Sequence, residues 1–140
     1  MTREEQGAQS KDISSVVALV RDEAGRVLLA SSSASGPWSC IGGELRDGEN
    51  PASAAIRFAM EDCGLEIEVG EALAYLSGDT YRVLWECGAE ATYHVTVLPA
   101  SAVGTPGSAP MRTTWLDADE IATAHLDEFA TVALAGLGLR

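Results

Sequence analysis

The stretch Gly42-Gly43-Glu44-Leu45-Arg46-Asp47-Gly48-Glu49-Asn50-Pro51, which continues as far as Leu65, decides the fold of this 140-residue chain. It predicts a glycine-rich loop followed by one helix. Asn50 is a favourable N-cap, and Pro51 suits the first helical position. Gly64 supplies the left-handed residue at which a helix commonly ends.

The predicted helix has an apolar stripe. Its apolar residues recur at i, i+3, i+4, i+7, i+8 and i+11, a spacing that favours one buried face. They are Ala52, Ala55, Ile56, Ala59, Met60 and Cys63. We therefore expect Ile56 to be a core residue. The opposite face then carries Arg57, Phe58 and two adjacent carboxylates, Glu61 and Asp62.

Adjacent carboxylates on an exposed helix face have two interpretations. Carboxylate oxygens bind hard cations, and Mg²⁺ usually takes one or two protein carboxylates and shares its remaining positions with water and substrate phosphates. Glu44 and Glu49 add two more acids in the preceding loop. The alternative is a solvated helix surface, since such surfaces are usually charged.

The spacing of this segment resembles the Nudix box of the Nudix hydrolase family, G-x5-E-x7-R-E-(apolar)-x-E-E-x-G-(apolar). The residues at the required offsets are Gly43, Glu49, Arg57, Ala59, Glu61, Gly64 and Leu65. Asp62 replaces the last glutamate of the box, and Phe58 replaces its first. The lead-in from Trp38 to Gly43 resembles the family's W-x-(apolar)-P-G-G, with Ile41 in place of the proline.

The resemblance implies an α/β fold, a Nudix-like α/β/α sandwich with a mixed β-sheet. It implies a hydrolase that cleaves a pyrophosphate bond in a nucleoside di- or triphosphate derivative with Mg²⁺ or Mn²⁺. Glu61 and Asp62 would be metal ligands, and the carbonyl of Gly43 would join them. Arg57 would orient the carboxylates. Glu49 would reach a second metal or hold a ligand in place through water; the alternative is an acid at a helix start, where the helix dipole favours a negative charge. The implied catalytic set is Glu61, Arg57 and Glu49.

Two departures from the family pattern leave alternatives open. A phenylalanine at position 58 can neither bind metal nor accept a proton. Either the ring packs under a loop in a working site with fewer metals, or the chain is a catalytically weak nucleotide-binding or regulatory domain. A purely structural domain is a third interpretation. Family members also often carry Arg or Lys after the second strand, where this chain has Ser31, Ser32 and Ser33.

Several other polar and aromatic residues are weaker candidates. Substitutes for the missing acid are Glu44, Asp79, Asp119 and Glu120. Aromatic residues that stack on a ligand or belong to the core are Trp38, Tyr81, Trp85 and Tyr93. One of Tyr93 and His94 must face inward because strand residues alternate. His125 is expected to be a solvent-facing loop residue.

The rest of the chain predicts strands and helices around the box. Strands are expected over residues 13–20, 26–30, 66–76, 79–85, 91–99 and 113–116, with a turn at 87–89. Helices are expected over residues 117–124 and 127–137. Residues 31–37 and 100–110 are predicted loops, the second of them mobile. We expect a flexible tail over residues 1–11 and one domain over residues 12–140.

Composition narrows the function further. The net charge of −12 argues against binding to nucleic acid or an anionic membrane, and no apolar run is long enough to span a bilayer. The negative net charge remains compatible with a small nucleotide-type substrate, because a bound cation inverts the local electrostatic field. Cys40, Cys63 and Cys87 lack metal-ligand spacing and predict reduced thiols in a cytoplasmic protein. A homodimer is also compatible with the sequence.

Overall fold

The centre of the fold is a long strand with apolar side chains on both faces. The computed structural model describes residues 10–77, 82–84, 90–107 and 110–139. Strand β1 (Ser10–Val20) places Val16 and Val20 in one core and Val17 and Leu19 in another. Because neighbouring side chains of a strand point to opposite faces, such a strand must be covered on both sides.

The sheet around β1 is mixed, as expected. Strand β7 (Glu90–Val103) runs parallel to β1, and β3 (Ile41–Glu44) runs antiparallel on its other edge. Along the far edge of β7 lie three antiparallel strands: β4 (Glu66–Val69), β5 (Ala74–Leu76) and β6 (Arg82–Leu84). A separate antiparallel pair joins β2 (Val27–Ser31) to β8 (Arg112–Leu116).

Helices cover the two faces and complete the α/β/α sandwich. Helix α1 (Pro51–Cys63) closes one core, while α2 (Ala118–Thr123) and α3 (Glu128–Gly136) close the other. The three helices begin at Asn50, Asp117 and Asp127, each of which caps its helix through its side chain. No helix in the described part of the chain is long and apolar enough to cross a membrane.

The glycine pair at the start of the box belongs to a strand, which corrects the predicted loop. Gly42 and Gly43 lie in β3, opposite Val17 and Val16 of β1. At Gly42, φ is +148°, and an added Cβ would lie 2.0 Å from the carbonyl oxygen of Val16. Glycine is therefore required there by the close approach of the two strands.

Strand boundaries differ from the predictions at three places. The predicted strand 66–76 divides into β4 and β5, with residues 70–73 between them. Strand β7 continues through Val103, so the first residues of the predicted loop 100–110 are paired with β4. Strand β1 starts at Ser10 and takes in the last two residues assigned to the tail. Residues 1–9, the predicted turn 87–89 and residues 79–81 and 85 lie outside the described residues.

The buried face of α1 is rotated from the predicted stripe. Its buried residues are Ala54, Ala55, Ala59 and Cys63. Ile56 and Met60 are 41% and 50% exposed, so the prediction that Ile56 is a core residue was wrong. Small alanine side chains let the helix approach the sheet closely, and Phe58 packs against the same core. The larger aliphatic side chains are left on the outer side.

Candidate active site

A carboxylate–arginine pair joins the loop before α1 to the helix. The Nε and Nη2 atoms of Arg57 each donate a hydrogen bond of 2.8 Å to the two carboxylate oxygens of Glu49. The backbone N–H of Arg46 adds a third bond of 2.9 Å to Glu49. The bonds from Arg57 lower the pKa of the Glu49 carboxyl to about 2. Such a two-point bond fixes the planes of both groups as well as their separation.

The same arginine reaches Glu61, one turn further along the helix. Arg57 Nη1 lies 3.4 Å from Glu61 Oε1, and Arg46 Nη2 lies 3.6 Å from Glu61 Oε2. Both separations are long, and the Glu61 side chain is 50% exposed. Glu61 is therefore held between two guanidinium groups while its carboxylate stays open to a ligand. Glu49, Arg57 and Glu61 form one connected chain.

Asp62 stands beside Glu61 in a more enclosed place. Burial raises the pKa of the Asp62 carboxyl, and the negative charge of Glu61 raises it further, while Arg57 acts in the opposite sense. A bound cation would relieve both effects, since it favours the charged form. The backbone carbonyl of Asp62 accepts a 2.9 Å hydrogen bond from Met111, which ties the residue before β8 to the end of α1.

The two carboxylates suit a hard divalent ion that takes most of its ligands from elsewhere. Two hard oxygen donors are the usual protein share for Mg²⁺. Across the described ranges of the chain, no cluster of three or more His, Cys, Asp or Glu side chains could hold a metal. Any ion bound by Glu61 and Asp62 would therefore complete its shell with backbone oxygen, water or substrate.

Gly43 and Phe58 pack against each other. A Cβ added at Gly43 would lie 2.7 Å from Cζ of Phe58, so the ring covers the glycine. The guanidinium of Arg57 lies over the same Phe58 ring, 4.3 Å from its centroid. Phe58 was expected on the polar face, and the structure instead packs it, half-buried, against the core under α1. The role of the Gly43 carbonyl as a metal ligand stays a prediction.

A second arginine stacks on an aromatic ring where the chain leaves β2. The guanidinium of Arg112 lies 4.2 Å from the ring centroid of Trp38. Its Nε atom donates to the Ser33 carbonyl at 2.7 Å, and its Nη2 atom donates to the Gly36 carbonyl at 3.4 Å. Arg112 pairs with Ser31 in the β2–β8 register. Sequence reasoning missed Arg112, because only that register brings it beside the serine run.

The weaker candidates have ordinary surroundings. Tyr93 faces inward, edge-on to Phe129, while His94 points out and bonds to Asp12 at 2.9 Å. His125 is exposed, as expected. The substitute acids are also accounted for: Glu44 and Asp119 are exposed, Glu120 bonds to Asp117 in a capping box, and Asp79 lies outside the described residues with Tyr81 and Trp85.

The described cysteines are free and buried or half-buried. Burial raises the pKa of the Cys40 thiol to about 12 and that of Cys63 to about 11. Both thiols are therefore protonated at neutral pH and are poor nucleophiles. Cys63 lies in the core, as its place on the helix predicted.

Comparison with a family profile identifies the class of protein. The profile of the NUDIX domain matches residues 11–135, and the chain belongs to this family. A search of curated proteins gives no significant match.

Solved structures share the fold at low sequence identity. The solution structure of the E. coli ORF135 protein is 24% identical, with a TM-score of 0.63, over 93% of this chain and 95% of that chain. A MutT protein from Methanosarcina mazei Go1 is 20% identical, with a TM-score of 0.66, over 89% and 91%. An ADP-ribose pyrophosphatase from Streptococcus suis 89-1591 is 16% identical, with a TM-score of 0.68, over 91% and 89%. At these identities the likeness establishes the fold alone.

Proposed function

We propose that this chain is a divalent-metal-dependent hydrolase that cleaves the pyrophosphate bond of a nucleoside di- or triphosphate derivative. The observation that carries the proposal is the chain of contacts from Glu49 through Arg57 to Glu61, which holds the box carboxylates on the open side of α1. The ADP-ribose pyrophosphatase among the structural neighbours supports the reaction class.

Glu61 and Asp62 would hold Mg²⁺ or Mn²⁺, with the carbonyl of Gly43 as a further oxygen ligand. When bound, the ion would neutralise charge on the pyrophosphate bridge and activate water for attack on phosphorus. Arg57 keeps Glu61 in place through the 3.4 Å contact. Arg46 Nη2 lies 3.6 Å from the second oxygen of Glu61 and adds positive charge beside the carboxylate.

Glu49 acts in this proposal as a hydrogen-bond acceptor and not as a base. Its carboxyl pKa of about 2 makes it a weak proton acceptor at neutral pH. Both of its oxygens are also occupied by Arg57. The catalytic contribution of Glu49 is therefore to orient Arg57, which in turn orients Glu61.

A second function is favoured by one observation. The Phe58 ring fills the space over Gly43 where the family has a glutamate, so this acid is replaced by a packed side chain. A domain of this design would bind a nucleotide and turn it over slowly. The two functions share the ligand site and differ in the rate of hydrolysis.

We further propose that residues 12–140 work as one domain in the cytoplasm. The family match over residues 11–135 supports the first part, and the free Cys40 and Cys63 are compatible with a reducing compartment. We also propose that the protein forms a homodimer, and light scattering would measure its mass in solution.

A substrate screen tests the proposed reaction. Nucleoside triphosphates, ADP-ribose, UDP-sugars and dinucleoside polyphosphates are incubated with Mg²⁺ or Mn²⁺, and phosphate and mononucleotide release are followed. Release with at least one substrate class that disappears in Glu61→Gln supports the hydrolase. Binding without release in every class would favour the slow nucleotide-binding domain.

A further inference from the structure

We propose that Arg46 competes with the divalent ion for Glu61: its guanidinium lies beside one carboxylate oxygen and moves aside when the ion binds. The inference deepens the proposed function and rests on its metal site. Position 46 is one of the unspecified positions of the box motif. Arg46 is thus a feature of this chain that sets how tightly the carboxylates bind the ion.

The two carboxylate oxygens of Glu61 have different neighbours. Oε1 lies 3.4 Å from Nη1 of Arg57, whose side chain is only 15% exposed and is fixed by the two-point bond to Glu49. Oε2 lies 3.6 Å from Nη2 of Arg46, whose side chain is 66% exposed. Oε2 is therefore the oxygen that an ion can reach, because the arginine beside it is the one that can move.

The backbone of Arg46 is fixed, and its side chain is not. The N–H of Arg46 donates to Glu49 Oε1 at 2.9 Å, and its carbonyl accepts a 3.0 Å bond from the N–H of Glu49. The contacts close a ring that runs through Arg46, Glu49, Arg57 and Glu61. The loop thus keeps the guanidinium close to Glu61, while a 3.6 Å contact in solvent is weak enough to exchange with water.

The charge of Arg46 has opposite effects on the metal-free and the metal-bound protein. Without an ion, Arg46 offsets part of the repulsion between the adjacent carboxylates of Glu61 and Asp62. A cation bound at Oε2 would lie close to the guanidinium, and like charges at such a separation repel each other even at the dielectric of a protein surface. Arg46 therefore stabilises the metal-free protein and opposes binding of the ion.

Calorimetric titration of Mn²⁺ into Arg46→Gln tests the proposal, because this variant keeps the backbone bonds to Glu49 and loses the charge. It should bind Mn²⁺ about three- to tenfold more tightly than wild type. Its melting temperature in EDTA should instead fall by about 1–3 °C. The gain in affinity should shrink between ionic strengths of about 0.01 M and about 1 M, since salt screens exposed charges.

Arg26→Gln is the matched control, because it removes the same charge and breaks the 2.7 Å ion pair with Asp22, between β1 and β2. It should bind Mn²⁺ like wild type. Arg46→Lys keeps the charge and should bind Mn²⁺ within about twofold of wild type. Mn²⁺ affinity of Arg46→Gln equal to or below that of wild type would overturn the proposal, and so would the absence of binding in both proteins.

The two proposals fail separately. Tighter Mn²⁺ binding by Arg46→Gln with no hydrolysis in the substrate screen would remove the hydrolase and leave Arg46 as the competitor of the ion. Hydrolysis that disappears in Glu61→Gln, together with equal Mn²⁺ affinity of wild type and Arg46→Gln, would keep the hydrolase and remove the role of Arg46.

Discussion

Two arginines of this protein stack on aromatic rings, at 4.3 Å for Arg57 on Phe58 and 4.2 Å for Arg112 on Trp38. They differ in their partners. Arg57 is bonded at two points to Glu49 and approaches Glu61. Arg112 bonds to backbone carbonyls only, among the residues that the structure describes.

The two arginine–aromatic stacks therefore have different surroundings and different roles. The charge of Arg57 is neutralised within the protein, so its stack on Phe58 holds the box loop, the helix and Glu61 together. Arg112 has no described carboxylate partner, and its stack on Trp38 is joined by bonds to two carbonyls of the loop after β2. The first arrangement joins the box loop to α1, and the second joins β8 to the loop that follows β2.

The largest effect in this comparison is expected at the Phe58 ring. Replacing a fully buried Phe by Ala costs about 3–5 kcal/mol, and for this half-buried ring we expect Phe58→Ala to lower the free energy of unfolding by about 2 kcal/mol. Met60→Ala, exposed on the same helix, should change it by less than about 0.5 kcal/mol. Urea denaturation measures both. Equal losses of unfolding free energy in the two variants would mean that the Phe58 ring stabilises the fold no more than the exposed Met60 side chain does.

A second experiment exchanges each arginine for lysine. Arg57→Lys should lower Tm clearly more than Arg112→Lys, because only Arg57 forms a two-point bond to a carboxylate. Thermal melts of the two variants and of wild type measure both shifts. An equal or larger drop in Tm for Arg112→Lys would contradict the structural role assigned to Arg57.

The smallest effect is the pH dependence of the Glu49 bond. Because the folded-state pKa of Glu49 is lowered from 4.5 to about 2, its contribution to stability is present above pH 4.5 and is lost as pH falls towards 2. The stability difference between wild type and Glu49→Gln should therefore be constant from pH 7 to pH 5 and shrink at pH 3.5. Urea denaturation at these pH values measures it, and a difference that does not shrink would contradict the assignment.

The sequence predicted those features that depend on nearby residues. The caps at Asn50 and Gly64 are local, and both ends of α1 lie where expected. The orientation of the helix is not local. Ile56 was predicted to be buried, but alanine side chains of α1 face the sheet instead. Which face of a helix is buried depends on the strands against which it packs.

The candidate site divides in the same way. The contact between Glu49 and Arg57 lies within one motif and could be anticipated, whereas the Arg112 stack requires the pairing of β2 with β8. The packing of Phe58 on Gly43 likewise requires β3 to lie under α1. Spacing along the chain contains no information about either contact.

The proposed hydrolytic function depends on a divalent ion bound by Glu61 and Asp62. Titration of Mn²⁺, followed by calorimetry, compares wild type with the double variant Glu61→Gln/Asp62→Asn. The matched control is Glu66→Gln/Glu68→Gln, which removes two exposed acids from β4. We predict that wild type and the control bind Mn²⁺ with similar affinity and that the site variant, still folded, does not bind it. Equal Mn²⁺ affinity in all three proteins would contradict the metal site and the hydrolytic function built on it.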